Sequence, residues 1–125
     1  MLVLFDVGNT NIHISKVTHD VITEQYRIQT NPNLTPDELY VKLSSYLGDQ
    51  TVTACAISSV VPRLTTILQL LSKTYFKCDP LILKAGVKTG LKIKTDHPQE
   101  VGADLICAAV EVMNDTHQVI VDLGT

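Results

Sequence analysis

The first thirty residues of the chain alternate short apolar runs with turn-forming residues. Residues 2–5 are apolar and lead into Asp-Val-Gly-Asn-Thr-Asn at positions 6–11, which is a cluster of turn formers. Ile12 and Ile14 then alternate with polar residues, and a segment at 21–28 follows a Thr-His-Asp turn. Runs of this length, bounded by Gly, Asn and Asp, predict a meander of three antiparallel strands.

After position 34 the apolar residues recur at steps of three and four. Thr35, Pro36 and Glu38 supply an N-cap, a proline at the first helical position and a capping-box glutamate. Gly48 is placed to end this first helix. A second helix is predicted from Pro62, with apolar residues at the same spacing: Leu64, Ile67, Leu68, Leu71 and Tyr75.

Short strands and one more helix complete the pattern. Residues 52–57 are apolar enough for a strand buried on both faces, and 80–83 form another short strand. Residues 91–94 alternate apolar and basic side chains, a third helix covers 101–112, and 119–121 is a last buried strand. The apolar stripe of the third helix comprises Val101, Leu105, Ala108 and Val112. The predicted fold class is α/β, in a single domain.

Segments at the two ends of the chain resemble each other. Residues 3–8 and 120–125 are both predicted to be buried strands that run into Asp-x-Gly, at Asp6 and Asp122, with a small polar residue afterwards. The sequence stops at Thr125, where a turn should follow the second copy. We therefore expect residues 1–125 to be one domain, the first half of a protein with two such halves.

Composition and charge narrow the function further. The 125 residues are 45% hydrophobic with a net charge of −3, which excludes a disordered chain because such chains combine low hydrophobicity with high net charge. The lack of a basic surplus argues against nucleic-acid or anionic-membrane binding. No apolar run reaches the length of a membrane helix, and the N-terminus lacks the basic region of a signal peptide. We expect a soluble, cytoplasmic protein.

The cysteines and histidines show no metal-site spacing. Cys55, Cys78 and Cys107 are odd in number and contain no CxxC pair, which favours reduced, mostly buried thiols over a disulfide framework. The histidines lack the short spacings of a zinc site, and we expect them on the surface or in loops; they are His13, His19, His97 and His117.

The turn that begins at Asp6 is a candidate phosphate site. A carboxylate at a strand end can hold a metal-bound water, Gly8 lets backbone N–H groups approach a phosphate, and the polar residues at 9–11 add hydrogen bonds. The alternative is an ordinary hairpin turn. The second Asp-x-Gly at Asp122 favours function, because two such turns can hold one polyphosphate from both sides. The sequence contains neither a Walker P-loop nor a GxGxxG motif.

A second candidate is Glu-Val-Gly-Ala-Asp at 100–104, where the third helix starts. The helix dipole alone favours an aspartate there. Gly102, however, weakens a helix by about 1 kcal/mol relative to alanine, and a glycine in a first turn commonly marks the close approach of a ligand. Asp104 precedes Leu105, at the edge of the predicted buried face, where a carboxylate can orient and deprotonate a substrate hydroxyl. The residues alone leave both interpretations open.

Four of the ten basic residues lie between positions 84 and 94. Lys92 and Lys94 alternate with apolar residues, as they would on a solvated strand face. Lys88 and Thr89 lie between two glycines and can instead contact an anionic substrate. The two interpretations carry equal weight.

Five segments together resemble the type III pantothenate kinases, a family of the actin-like ATPase superfamily. They occur in the family's order over nearly the whole chain: 6–11 (Asp-Val-Gly-Asn-Thr-Asn), 57–62 (Ile-Ser-Ser-Val-Val-Pro), 86–91 (Gly-Val-Lys-Thr-Gly-Leu), 100–104 (Glu-Val-Gly-Ala-Asp) and 122–125 (Asp-Leu-Gly-Thr). The resemblance covers the family's N-terminal half. It implies an actin-like (ribonuclease H-like) βββαβαβ fold with a mixed sheet and flanking helices.

The resemblance also implies an activity. The family acts as a homodimer that phosphorylates the terminal hydroxyl of pantothenate, the first step of coenzyme A biosynthesis, with Mg-ATP and a monovalent cation (K⁺ or NH₄⁺). Half of such an enzyme is expected to be inactive alone.

The family pattern assigns roles to individual residues. Asp104 is similar to the catalytic base and Asp122 to the monovalent-cation ligand, while Asp6 is expected to hold Mg²⁺ through water. Thr125 is similar to a further nucleotide contact. The first phosphate loop, which binds ATP, comprises Asp6, Val7, Gly8, Asn9, Thr10, Asn11, Ile12 and His13. The substrate site comprises Gly102, Ala103, Asp104, Leu105 and Thr95.

Two positions depart from the family pattern. Leu105 stands where arginine commonly follows the catalytic aspartate, and Thr95 stands where a tyrosine commonly precedes an Asp-Asn-Pro turn. Both positions would help to hold pantothenate, so the departures affect substrate affinity more than phosphoryl transfer. They motivate an alternative function, a divergent nucleotide-binding regulatory module without kinase activity. A third interpretation is another small-molecule kinase of the same superfamily.

Overall fold

The fold is built on a five-stranded mixed sheet. A computed structural model describes residues 1–84, 89–111, 113–114, 116–121 and 123. The strand order is β3-β2-β1-β4-β5. The first three strands pair antiparallel, whereas β4 runs parallel to β1 and β5 runs parallel to β4. The strands are β1 (Leu2–Val7), β2 (Asn11–Thr18), β3 (Val21–Gln29), β4 (Ala54–Ser59) and β5 (Leu81–Leu83).

The helices begin and end where the sequence places start and stop signals. The Thr35 hydroxyl accepts the backbone N–H of Glu38 at 3.2 Å, and the Glu38 carboxylate accepts the N–H of Thr35 at 2.8 Å. Gly48 ends this helix at a φ of 63°, which glycine adopts without steric cost. A π-helical turn (Ser72–Phe76) extends the second helix, and a 3₁₀ turn (Pro98–Glu100) precedes the third. The helices are α1 (Pro36–Leu47), α2 (Pro62–Leu71) and α3 (Ala103–Glu111).

Alternate residues of β1 face two different environments. Val3, Phe5 and Val7 are buried in one core together with the leucines of α1 and most leucines of α2. Leu4 and Asp6 point to the opposite face. Burying an apolar side chain of this size contributes about 1.5–3 kcal/mol, so the face covered by α1 and α2 stabilises the sheet. The opposite face, which carries Asp6, can accommodate a functional site.

The predicted fold class is confirmed. The chain is α/β, and its elements follow the order βββαβαβ with a further helix. The mixed sheet and flanking helices agree with an actin-like ATPase-type domain.

Two of the predicted extended segments are not strands in the described part of the chain. Residues 91–94 form no strand, although Lys92 and Lys94 are exposed as predicted. Residues 119–121 also form no strand, and Val119 and Val121 are 91% and 74% exposed, so the predicted burial is wrong. A strand needs a neighbour for its backbone hydrogen bonds, and an apolar or alternating run by itself does not supply one.

Two predictions of burial are also wrong. β4 buries only one face, through Cys55 and Ile57. In α3 the buried residues are Ala103 and Ile106, whereas Leu105 is 47% exposed. Nearly every residue of α3 is apolar, so the helical period cannot decide which side faces the sheet.

The three cysteines differ in exposure. Cys55 is buried, Cys78 is half-buried and Cys107 is exposed, so the prediction of mostly buried thiols is wrong for one of them. The sulfur atoms of Cys55 and Cys78 lie 3.7 Å apart, and all three cysteines are free. Burial raises the pKa of Cys55 to about 12.

No helix in the described ranges is long and apolar enough to cross a membrane.

Candidate functional site

Asp6 lies near the end of β1, on the sheet face opposite the helical core. Its register partners are His13 on β2 and Ser58 on β4. Directly opposite residues on neighbouring strands share a face, so the three form a polar row across the sheet. The Asp6 side chain is exposed and makes no hydrogen bond or ion pair with any residue in the described ranges. Its carboxylate oxygens are therefore available to a ligand.

The turn after β1 is a closed hairpin. The N–H of Gly8 donates to the carbonyl of Asn11 at 2.9 Å, and the Thr30 hydroxyl donates to the carbonyl of Gly8 at 2.7 Å. A Cβ at position 8 would lie 3.2 Å from the Asn11 oxygen, which is a tight contact with backbone. Hairpin closure therefore explains this glycine, as the alternative interpretation of the turn predicted.

The predicted phosphate loop presents its side chains in two directions. Val7 and Ile12, on either side of the turn, are each 1% exposed in the core, so only their backbone atoms can contact a nucleotide. Asn9 and Thr10 are exposed at the tip, and His13 is exposed on the Asp6 face. The loop can thus offer polar groups from its tip and its outer face.

A cleft of about 500 Å³ lies between the open sheet face and α3. Asp6 and His13 line it from the sheet, and Asp104 and Cys107 line it from the helix. Leu4, on β1, also lines the cleft and adds an apolar surface to it. Two of the carboxylates that the sequence singled out, Asp6 and Asp104, therefore share one partly apolar cleft.

Asp104 lies in the first turn of α3 and is exposed. One of its carboxylate oxygens, Oδ1, accepts the backbone N–H of Leu105 at 2.9 Å. The first N–H groups of a helix have no partner within the helix, and this contact satisfies one of them. It also holds the side chain in place, and an accessible carboxylate at a fixed position is what a proton acceptor requires.

The other predicted substrate residues do not line this cleft. Gly102 and Ala103 lie at the start of α3, and Ala103 is buried. Leu105 and Thr95 are exposed away from the cleft. The structure thus brings Asp104 to Asp6 and leaves the predicted pantothenate contacts outside.

The predicted cation ligand Asp122 and nucleotide contact Thr125 lie outside the described residues, as do positions 85–88 with Lys88. Thr89 is described and lies in the bend before Leu91.

Ser58, Cys107 and Glu111 are among the residues that line the cleft without having been predicted. Cys107 follows Asp104 by three positions and Glu111 follows Cys107 by four, so the helical period offered a signal for both. Ser58 belongs to the Ile-Ser-Ser-Val-Val-Pro segment, and only the register of β4 against β1 places it beside Asp6.

The comparisons with known proteins identify the family of the chain. The family model of the type III pantothenate kinases matches residues 2–125. The chain belongs to the type III pantothenate kinase family. Curated relatives named type III pantothenate kinase include that of Acholeplasma laidlawii, 42% identical over 100% of this chain and 51% of the relative. That of Geobacter sulfurreducens is 40% identical over 100% of this chain and 52% of the relative, and that of Pelobacter propionicus is 41% identical with the same coverage.

The chain spans about half the length of the curated relatives it matches. Because the family model matches residues 2–125, membership of the type III pantothenate kinase family applies to every described element, from β1 to α3.

Proposed function

We propose that the protein containing this chain transfers the γ-phosphoryl group of ATP to the terminal hydroxyl of pantothenate. The observation that carries the proposal is that Asp6 and Asp104 line one cleft. Membership of the type III pantothenate kinase family supports the choice of substrate.

Asp104 is the proposed base. The pantothenate hydroxyl gives its proton to the Asp104 carboxylate while its oxygen bonds to the γ-phosphorus, and the bond from that phosphorus to the ADP oxygen breaks. Phosphoryl transfer depends mainly on positioning and charge neutralisation. The exposed carboxylate in the first turn of α3 supplies an acceptor at a fixed place in the cleft.

The residues around Asp6 fit a magnesium ion. Mg²⁺ prefers carboxylate oxygens and retains several of its waters. The Asp6 carboxylate is exposed and unpaired within the described residues. The hydroxyl of the neighbouring Ser58 is buried and has no hydrogen-bond partner there. Asp6 would hold the ion through water, and the ion supplies charge neutralisation at the phosphates.

The remaining contacts in the proposal come from the family resemblance. The hairpin from Asp6 to His13 binds the ATP phosphates together with Thr125, and Asp122 binds K⁺ or NH₄⁺. The predicted substrate residues around Asp104 contact pantothenate. The complete protein acts as a cytoplasmic homodimer.

A phosphorylation assay of the complete protein tests the proposal. We expect formation of phosphopantothenate and ADP in equal amounts, dependent on Mg²⁺ and stimulated by K⁺ or NH₄⁺. Other small hydroxylated acids serve as control substrates. ATP binding without any turnover of pantothenate would contradict the kinase and favour the regulatory module, for which the names of the three relatives provide no support.

A further inference from the structure

The backbone at Gly102 does not require glycine. Its φ lies outside the left-handed region, unlike those of Gly48 and Gly90. Its carbonyl accepts the N–H of Ile106 at 3.2 Å, so Gly102 immediately precedes α3 as its N-terminal cap. Glycine is favoured over alanine at an N-cap, but that preference does not involve the Asp104 side chain. The φ of Gly102 itself therefore gives no reason for glycine.

The atom that a side chain at position 102 would meet belongs to Asp104. A Cβ at Gly102 would lie 2.6 Å from Oδ1 of Asp104, which is closer than a carbon and an oxygen can approach. The nearest atom of any other residue is Cγ1 of Val60, which would lie 3.6 Å from that Cβ, an ordinary van der Waals distance. Within the described part of the chain, the obstacle to a side chain at this position is the Asp104 carboxylate.

The same carboxylate oxygen has a second contact. Oδ1 of Asp104 accepts the N–H of Leu105, so the side chain curves back toward the start of the helix and over Gly102. The carboxylate is therefore held by the hydrogen bond to Leu105 and occupies the space that a side chain at Gly102 would fill.

We propose that Gly102 is a positioning residue for Asp104. Its missing side chain leaves the space in which the Asp104 carboxylate adopts the orientation for accepting a proton. This inference rests on the proposed function, in which Asp104 is the base.

The Gly102→Ala variant of the complete protein tests this role. A methyl group displaces the carboxylate, and a misplacement of about 1 Å costs about 100-fold in rate. We expect that loss in kcat and an unchanged KM for ATP. Gln99→Ala, which removes an exposed side chain from the preceding turn, should change neither quantity. A Gly102→Ala enzyme with the kcat of the wild type overturns the proposal.

A stability cycle tests the same contact without using activity. Gly102→Ala should lower the melting temperature more in the wild type than in an Asp104→Ala background, because only the wild type has a carboxylate for the methyl group to displace. An equal loss with and without the Asp104 side chain would place the obstacle elsewhere and overturn the proposal.

Failure of the proposed function would be seen separately, as a wild-type protein that does not phosphorylate pantothenate. In that case a crystal structure of Gly102→Ala decides the inference. The proposal predicts that Oδ1 of Asp104 leaves the N–H of Leu105, and an unchanged contact contradicts it.

Discussion

Asp6 on the first strand and Asp104 on the last helix line the same cleft. The sheet topology produces this relationship, because β1 lies at its centre with β4 parallel beside it. α3 packs against β4, and Asp104 in its first turn lines the cleft together with Asp6. The cleft therefore combines a strand end and a helix start, to which the proposed function assigns magnesium binding by Asp6 and proton acceptance by Asp104.

Replacing the proposed base should abolish most turnover. We expect Asp104→Asn to lower kcat by about 10²–10⁴-fold, the usual contribution of a general base. The melting temperature should change little, because the side chain is exposed. Steady-state kinetics of the complete protein provide the measurement. Asp49→Asn, at an exposed carboxylate after α1, is the matched control, and equal kcat values for the two variants would refute the role of Asp104.

Replacing Asp6 should affect the magnesium requirement. A residue that holds a metal through water commonly contributes about 10–100-fold in metal affinity or activity. We therefore expect Asp6→Asn to raise the Mg²⁺ concentration for half-maximal activity by about that factor. A magnesium titration at saturating ATP measures it. Asp20→Asn is the control and should leave the titration unchanged, since asparagine also tolerates the φ of 61° at this turn between β2 and β3. An unchanged titration for Asp6→Asn would contradict the role of Asp6 in holding magnesium.

Two leucines of α2 on different faces of the helix should differ strongly in their contribution to the free energy of unfolding. Leu68 is 0% exposed and Leu70 is 51% exposed. Leu68→Ala should lower the free energy of unfolding by about 2–5 kcal/mol through lost burial and a cavity. Leu70→Ala should change it by less than about 0.5 kcal/mol, as is usual for surface substitutions. Urea unfolding followed by circular dichroism compares them, and similar midpoints would show that this face of α2 does not cover the core.

The raised pKa of Cys55 gives a pH prediction. Burial favours the neutral thiol and raises the pKa from 9.0 to about 12. The stability from keeping this thiol neutral is fully present below pH 9 and is lost as the pH rises toward 12. Alkylation requires the thiolate, so the reaction of Cys55 with iodoacetamide should keep accelerating above pH 9, where a short peptide thiol levels off.

Peptide mass spectrometry after timed alkylation measures this reaction. The exposed Cys107 should be labelled at pH 8 while Cys55 remains unmodified, and all three cysteines should react in the urea-unfolded protein. Labelling of Cys55 at the rate of Cys107 in the folded protein would contradict its burial.

Local signals predicted the helix ends and the first strands well. The capping box of Thr35 and Glu38 and the glycine at 48 are satisfied within a few residues of chain, so their consequences can be read from the sequence. The same holds for the hairpin at Gly8, whose closing hydrogen bond joins it to Asn11. The predicted roles of Asp122 and Thr125 remain predictions.

Tertiary contacts decided the remaining features. The side of α3 that packs inward could not be predicted, because its apolar residues surround the helix and only contact with β4 selects Ala103 and Ile106. No sequence pattern could place Ser58 beside Asp6, since that position depends on the parallel register of β4 against β1. The sequence by itself determined the elements, the candidate carboxylates and the family resemblance, because those depend on short-range spacing. The shared cleft required the tertiary fold, because the pairing of β1 with β4 and the packing of α3 against β4 bring Asp6 and Asp104 to one cleft.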